Sequence, residues 1–166
     1  MPYLIYLKNY PESIKEQITT LLTERKLEKL LKTRYPINHN IKSDKALYQY
    51  TVNIKNTYLK QTSPLRRICF DKKIVDHSLI LDAPIDNRFN NPSIINRLSE
   101  ITVADFFKQA PEPLLRTIVI HKLAHIIEKA HNSAFYQLCH YMEPNYQQLE
   151  FETRLFLTQR EYSRYF

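Results

Sequence analysis

From position 12 onward the chain sets apolar residues at helical intervals. Ile14, Ile18, Leu21 and Leu22 are followed by Leu27, Leu30 and Leu31, with polar side chains between them. Steps of three and four residues fall on one side of a 3.6-residue helix, so this stretch predicts one long helix or two short ones ending before Pro36. Ser43 then stands as the N-cap of a further helix to about position 60, whose inner side carries Leu47, Tyr50, Ile54 and Tyr58. Over 67–83 the pattern changes. RRICF and SLILDA are short β-branched and apolar runs between polar residues, as two strands of a small sheet would be. The stretch 84–99 is rich in Asn, Pro and Asp and predicts a loop, after which Asp105 caps a short helix through Lys108.

The breaker Pro111-Glu112-Pro113 opens the most apolar helix of the chain, spanning roughly 113–129. Leu115, Val119, Leu123 and Ile126 share one side of it, and Leu114, Ile118, His121 and His125 share the other. A helix apolar on both sides is deeply buried. Two more helices are predicted, over 133–142 and from 146 to about 157. The elements together describe an α+β single domain over 1–166, mostly helical with a small β-sheet. Its parts are a basic helical part at 1–62, the small sheet and loops at 63–110, and the helices of the histidine region at 111–166.

Composition changes this picture in four respects. At 166 residues, 43% hydrophobic and 25% charged, the chain is long enough for one folded core and has the usage of a soluble globular protein. Its start, MPYLIYLKN, lacks the basic and long apolar regions of a secretory signal, and no apolar run reaches the roughly 18 residues that span a bilayer. With only Cys69 and Cys139, far apart, there is no disulfide framework. The expectation is a cytoplasmic protein that does not contact a membrane. There is also no glycine, which excludes glycine-rich nucleotide-binding loops and leaves nine prolines with Asn and Asp to supply turns.

The net charge of +7 is uneven: residues 1–73 carry +9 and residues 74–166 carry −2. Cations interleaved with tyrosines, as at Arg34-Tyr35 and between Tyr58 and Lys60, suit a nucleic-acid partner for the basic N-terminal half. The plain reading is a solvated helical face, because no recognised nucleic-acid motif accompanies the charge.

His121 and His125 are four residues apart, so on a helix their rings lie on one face and can chelate one ion. Spacing alone leaves a pair of core histidines equally open. His131 follows His125 by six residues, the separation used by zinc peptidases that draw a third ligand from just beyond the helix. For its ring to return, the chain must bend after about Lys129. Metzincins place glycine at the position of Glu128 to make that bend, so this turn is built differently.

The segment IVIHKLAHIIEKAHNSAFYQLCHYMEPNYQQLE resembles the YgjP-like metallopeptidase domain family, whose pattern is HELAH, a third histidine six residues on, and an aromatic-containing helix. The likeness is densest over 111–158 and is supported upstream by YLKNYPE, KSDKALYQY and FFKQAPEPLLR; between 75 and 100 the sequence departs from the family pattern. The resemblance implies a zincin-like fold, a zinc ion on His121, His125 and His131, and hydrolysis of peptide or protein substrates by a metal-bound water. It also implies a glutamate at position 122, where this chain has Lys122.

An ammonium has no lone pair to take a proton, and a cation beside zinc is electrostatically unfavourable. Lys122 therefore implies impaired peptide hydrolysis, unless the metal depresses its pKa enough to leave a neutral amine as base. The alternative is a non-catalytic zinc-stabilised module that binds nucleic acid or protein through the basic half. Glu128, on the histidine face, is read as an exposed helix-end carboxylate or a fourth ligand. Glu150 and Glu152 are read as helix surface residues, with support of a ligating histidine as the lesser role. His39, His77 and His140 have no partner at ligand spacing, and Tyr136 and Tyr141 are packing residues or oxyanion donors.

Overall fold

The computed structural model describes residues 1–75, 80–81 and 100–166. A 3-10 helix, Pro2–Leu7, precedes α1 (Glu12–Thr23), α2 (Lys26–Arg34) and α3 (Asp44–Tyr58). Strands β1 (Arg67–Asp71) and β2 (Glu100–Ala104) follow, then a second 3-10 helix, Asp105–Gln109. Three helices close the chain: α4 (Glu112–Ile127), α5 (Ser133–Met142) and α6 (Tyr146–Tyr165). Helices packed on a small sheet make the fold α+β, as the hydrophobic pattern predicts.

Of the two predicted forms of the first helical stretch, the chain adopts the broken one. Arg25 sits at φ 58° and ψ 30°, in the left-handed region, and separates α1 from α2. In a chain without glycine an arginine has to take this position, at a cost of roughly 1 kcal/mol or more. The Glu24 N–H closes α1 on the Thr20 carbonyl and the Arg25 N–H on the Leu22 carbonyl, each at 3.0 Å. Ser43 caps α3 as predicted, accepting from the Ala46 N–H at 3.1 Å. The Asp44 carboxylate accepts from the Phe70 N–H at 2.8 Å and so ties the start of α3 to β1.

The sheet differs from expectation. RRICF forms β1, but its partner is β2, running parallel with Ile68 opposite Ile101 and Phe70 opposite Val103. The sequence reading assigns no element to 100–104, where five residues give too short an alternation to register and the pairing partner is about thirty residues away. In the second predicted strand, 78–83, only Ile80 and Leu81 are described, and both are helical and buried. The rest of that segment, the predicted loop at 84–99 and His77 lie outside the described residues.

The main core gathers Leu47 and Ile54 of α3, Ile68 and Phe70 of β1, Ile101 and Val103 of β2, and the apolar residues of α4 and α5. A second cluster joins the first 3-10 helix, α1 and α2 to Leu155 of α6. α6 continues beyond the predicted end near 157 because its polar last turns still pack: Tyr162 meets Tyr3 edge to face at 5.0 Å. No helix among the described residues is long and apolar enough to cross a membrane.

Candidate metal centre

α4 is the scaffold of the site. Pro113 lies in its first turn, where a proline costs no hydrogen bond, and Glu112 adds a negative charge at the positive end of the helix. Leu114, Leu115 and every residue from Thr117 to His125 are buried, so the helix is enclosed on all sides. Two polar ties fix its orientation. The Tyr50 hydroxyl donates to the Glu112 carboxylate, and Arg116 donates to Glu143 Oε2 and to the Met142 carbonyl, each at 3.1 Å. Burial and the Glu112 carboxylate together push the Tyr50 hydroxyl pKa well up, so it stays a neutral donor.

On this helix His121 and His125 present their Nε2 atoms to each other at 3.1 Å. His131 brings its Nε2 to 3.0 Å from that of His125, and ligand atoms of all three lie within 4.8 Å of one another. Two nitrogens bound about 2.0–2.1 Å from one ion stand roughly 3 to 3.4 Å apart, so the spacing and the all-imidazole donor set fit a divalent transition ion. His121 and His125 are buried and His131 is exposed, which leaves the group open on one side.

The far nitrogens set the tautomers. A carbonyl only accepts, so the contact of His125 Nδ1 with the Glu128 carbonyl at 3.1 Å puts the proton on Nδ1 and leaves Nε2 with its lone pair. His121 Nδ1 lies 2.7 Å from the hydroxyl of Tyr146, which neighbours the buried Cys139 thiol. When Nδ1–H donates to the tyrosine oxygen and the O–H is directed to Sγ, the His121 Nε2 lone pair also faces the centre. Burial raises the Tyr146 pKa and pushes the Cys139 thiol up to about 12, so neither ionises near neutrality.

The bend after α4 needs no glycine. Glu128 takes an extended conformation at φ −119° and ψ 109°, its N–H still bonded to the Ala124 carbonyl at 2.8 Å. Asn132 caps α5 by accepting from the Phe135 N–H at 2.9 Å. Phe135 is fully buried, and its ring stands 4.5 to 5.0 Å from all three imidazoles as their common apolar floor.

Comparison with known proteins bears on what this centre is. The model of the family described as YgjP-like, metallopeptidase domain matches residues 102–154, which contain the three histidines. A UTP pyrophosphatase of Escherichia coli (strain K12) is 47% identical over 161 residues, covering 96% of this chain and 95% of that protein. The chain belongs to the YgjP-like metallopeptidase family. No solved structure gives a significant match.

In this YgjP-like chain Lys122 is buried, with 7% of its surface exposed, on the turn of α4 that carries His121 and His125. The other candidates fall outside the histidine cluster. Glu128 contributes its backbone carbonyl to His125, while its carboxylate accepts from Asn132. Glu152 is not a surface residue: it is buried and bound by Arg34 and Tyr35, which hold α2 and its C-terminal end against α6, and by Gln148 one turn earlier in the same helix. Its ionic partner Arg34 and the Tyr35 hydroxyl come from more than a hundred positions away, which local pattern cannot show. Glu150 pairs with Arg154 at 3.0 Å. His39 is a buried structural histidine between the Phe107 carbonyl and the Ile41 N–H. His140 is exposed beside the Tyr146 ring, Tyr141 packs on Tyr58, and the Tyr136 ring lies 6.3 Å from that of His131.

Sequence reasoning missed Tyr146, Cys139 and Phe135. Phe135 had a usable signal, since it stands four residues after His131 on a helix whose cap is legible. Tyr146 had none, because only the packing of α6 on α4 brings it to His121.

Proposed function

We propose that the chain is a zinc-dependent hydrolase of the phosphoanhydride bond between the α- and β-phosphates of a nucleoside triphosphate. The observation that carries this reading is the 47% identity, across nearly the whole of both chains, to a protein named for UTP pyrophosphatase activity. Water adds to the α-phosphorus, the bond from that phosphorus to the bridging oxygen breaks, and a nucleoside monophosphate and pyrophosphate leave. His121, His125 and His131 hold the ion. When bound, a divalent ion supplies Lewis-acid activation of water and neutralises phosphate charge. Tyr146 and the Glu128 carbonyl keep two of the three rings in the ligating tautomer.

Lys122 fits this chemistry better than peptide hydrolysis. Phosphoryl transfer depends mainly on positioning and on stabilising spread negative charge, which Lys122 supplies when protonated. Peptide hydrolysis needs a proton acceptor, and a charged lysine is none.

The family model's description as a metallopeptidase domain supports a second reading, peptide hydrolysis. In that case the missing glutamate costs about 10²- to 10⁴-fold in rate. Zinc-loaded protein incubated with UTP and, separately, with an unfolded protein substrate tests both. Equal amounts of UMP and pyrophosphate, abolished in His125→Ala and reduced in Lys122→Ala, are expected. Absence of UMP release, together with proteolysis that appears in Lys122→Glu, would replace the first reading by the second. For the basic N-terminal half, binding of single-stranded RNA that weakens steeply with salt would add a nucleic-acid partner.

A further inference from the structure

A cavity of about 460 Å³ lies beside the histidine cluster, and none of the three histidines lines it. Its size falls within the range of ordinary small-ligand sites. It shares Tyr146 with the centre, whose hydroxyl lies 2.7 Å from His121, and Tyr136, whose ring lies 6.3 Å from that of His131. One end of the cavity is therefore walled by two tyrosines that pack directly behind His121 and beside His131.

Three parts of the chain wall it. Tyr136 and His140 come from one face of α5, Gln147, Glu150 and Arg154 from one face of α6, and Asn9 and Tyr10 from the turn after the first 3-10 helix. The wall groups differ in how far they are already engaged. Arg154 donates to the Tyr6 carbonyl at 3.1 Å and to Glu150 at 3.0 Å, so this pair is a fixed, internally neutralised feature. Tyr10 is half-buried, with its ring 5.2 Å from that of Phe151, and offers a supported aromatic face. Asn9 and Gln147 are exposed, and their amides make no hydrogen bond among the described residues.

We propose that this cavity is the nucleoside subsite of the hydrolase reading above, on which it rests: the base stacks on Tyr10 and is read by the amides of Gln147 and Asn9. A uracil edge alternates acceptor, donor and acceptor, and a primary amide offers one donor and one acceptor side by side to meet it. The free oxygen of Glu150 accepts from the ribose hydroxyls. Phosphates attached to such a nucleoside reach past Tyr136 toward His131, the histidine on the open side of the cluster.

The test is calorimetric titration of the full-length protein, metal-free and zinc-loaded, with UMP, AMP and ribose 5-phosphate. The expected result is tighter binding of UMP than of the other two in both metal states. Tyr10→Ala and Gln147→Ala each weaken UMP by about tenfold, the loss expected for one stacked aromatic or one paired amide. Tyr48→Ala, at an exposed position on α3 away from the cavity, leaves it unchanged. Gln147 is solvent-exposed, so its variant keeps the fold even if Tyr10→Ala does not. UMP binding no tighter than ribose 5-phosphate, or unaltered in Gln147→Ala, overturns the subsite. UMP binding that depends on Gln147 without release of UMP from UTP removes the hydrolase reading and leaves the subsite. UTP hydrolysis with KM unchanged in Gln147→Ala does the reverse.

Discussion

His121 Nδ1 lies 2.7 Å from the hydroxyl of Tyr146, a residue 25 positions further on and wholly buried. The contact crosses from α4 to α6 and holds the back of one candidate ligand while its front faces the other two. Removal of the hydroxyl alone, in Tyr146→Phe, leaves the ring and its packing in place. Zinc affinity should then fall about 10- to 100-fold. Competition with a chromophoric chelator measures it, and an affinity equal to that of the unaltered protein would show that the contact does not tune the ligand.

The thiol behind that tyrosine predicts a pH effect. Cys139 is fully buried and its pKa is pushed up to about 12 from an ordinary 9.0, first of all by burial. The folded chain thus keeps a proton that the unfolded chain releases. Its contribution to stability is whole below about pH 9 and is lost as pH rises toward 12. In Cys139→Ala, urea unfolding at pH 8 should show lower stability than the parent, and the gap should narrow at pH 10 and above. A gap constant with pH would rule the thiol out as the titrating group.

Arg25 gives a prediction of the opposite sign. Its left-handed conformation, φ 58°, is one that glycine adopts without steric cost. Arg25→Gly relieves strain of roughly 1 kcal/mol, offset in part by the freedom glycine gains in the unfolded chain. A net stabilisation of up to about 1 kcal/mol is expected in denaturant melts. A clear loss would mean that the arginine side chain contributes more than its backbone costs.

Replacing His125, which contacts both other rings, should abolish zinc binding in the metal-stripped and reloaded protein. His140→Ala, on the neighbouring helix and outside the cluster, should leave one zinc per chain. Elemental analysis after dialysis distinguishes the two, and equal zinc in both variants would place the ion elsewhere.

Much of this was legible in the sequence because it is local. Helix periodicity, the Ser43 cap, the Pro-rich start of α4 and the 121, 125, 131 spacing all operate within a turn or two of chain. The features that escaped are pairings across long separations. β2 is recognisable only beside β1, Glu152 is an interior residue only because Arg34 and Tyr35 reach it, and Tyr146 meets His121 only once α6 lies on α4. Lys122 is the intermediate case. Its identity raised the question about peptide hydrolysis, whereas its burial on an enclosed helix came from the tertiary structure.

The three imidazoles all belong to one short stretch of chain, from 121 to 131. An ion there joins points already held by a helix turn and by the extended residue Glu128, and the loops it closes are small. Closing them removes little freedom from the unfolded chain. Ile118, Phe135 and Met142 beside the site belong to the main hydrophobic core, which also draws on α3, both strands and α6. An ion held by these three residues would therefore add to stability through its own bonds to the rings far more than through any constraint on the unfolded chain, and His131 marks the side from which it would enter.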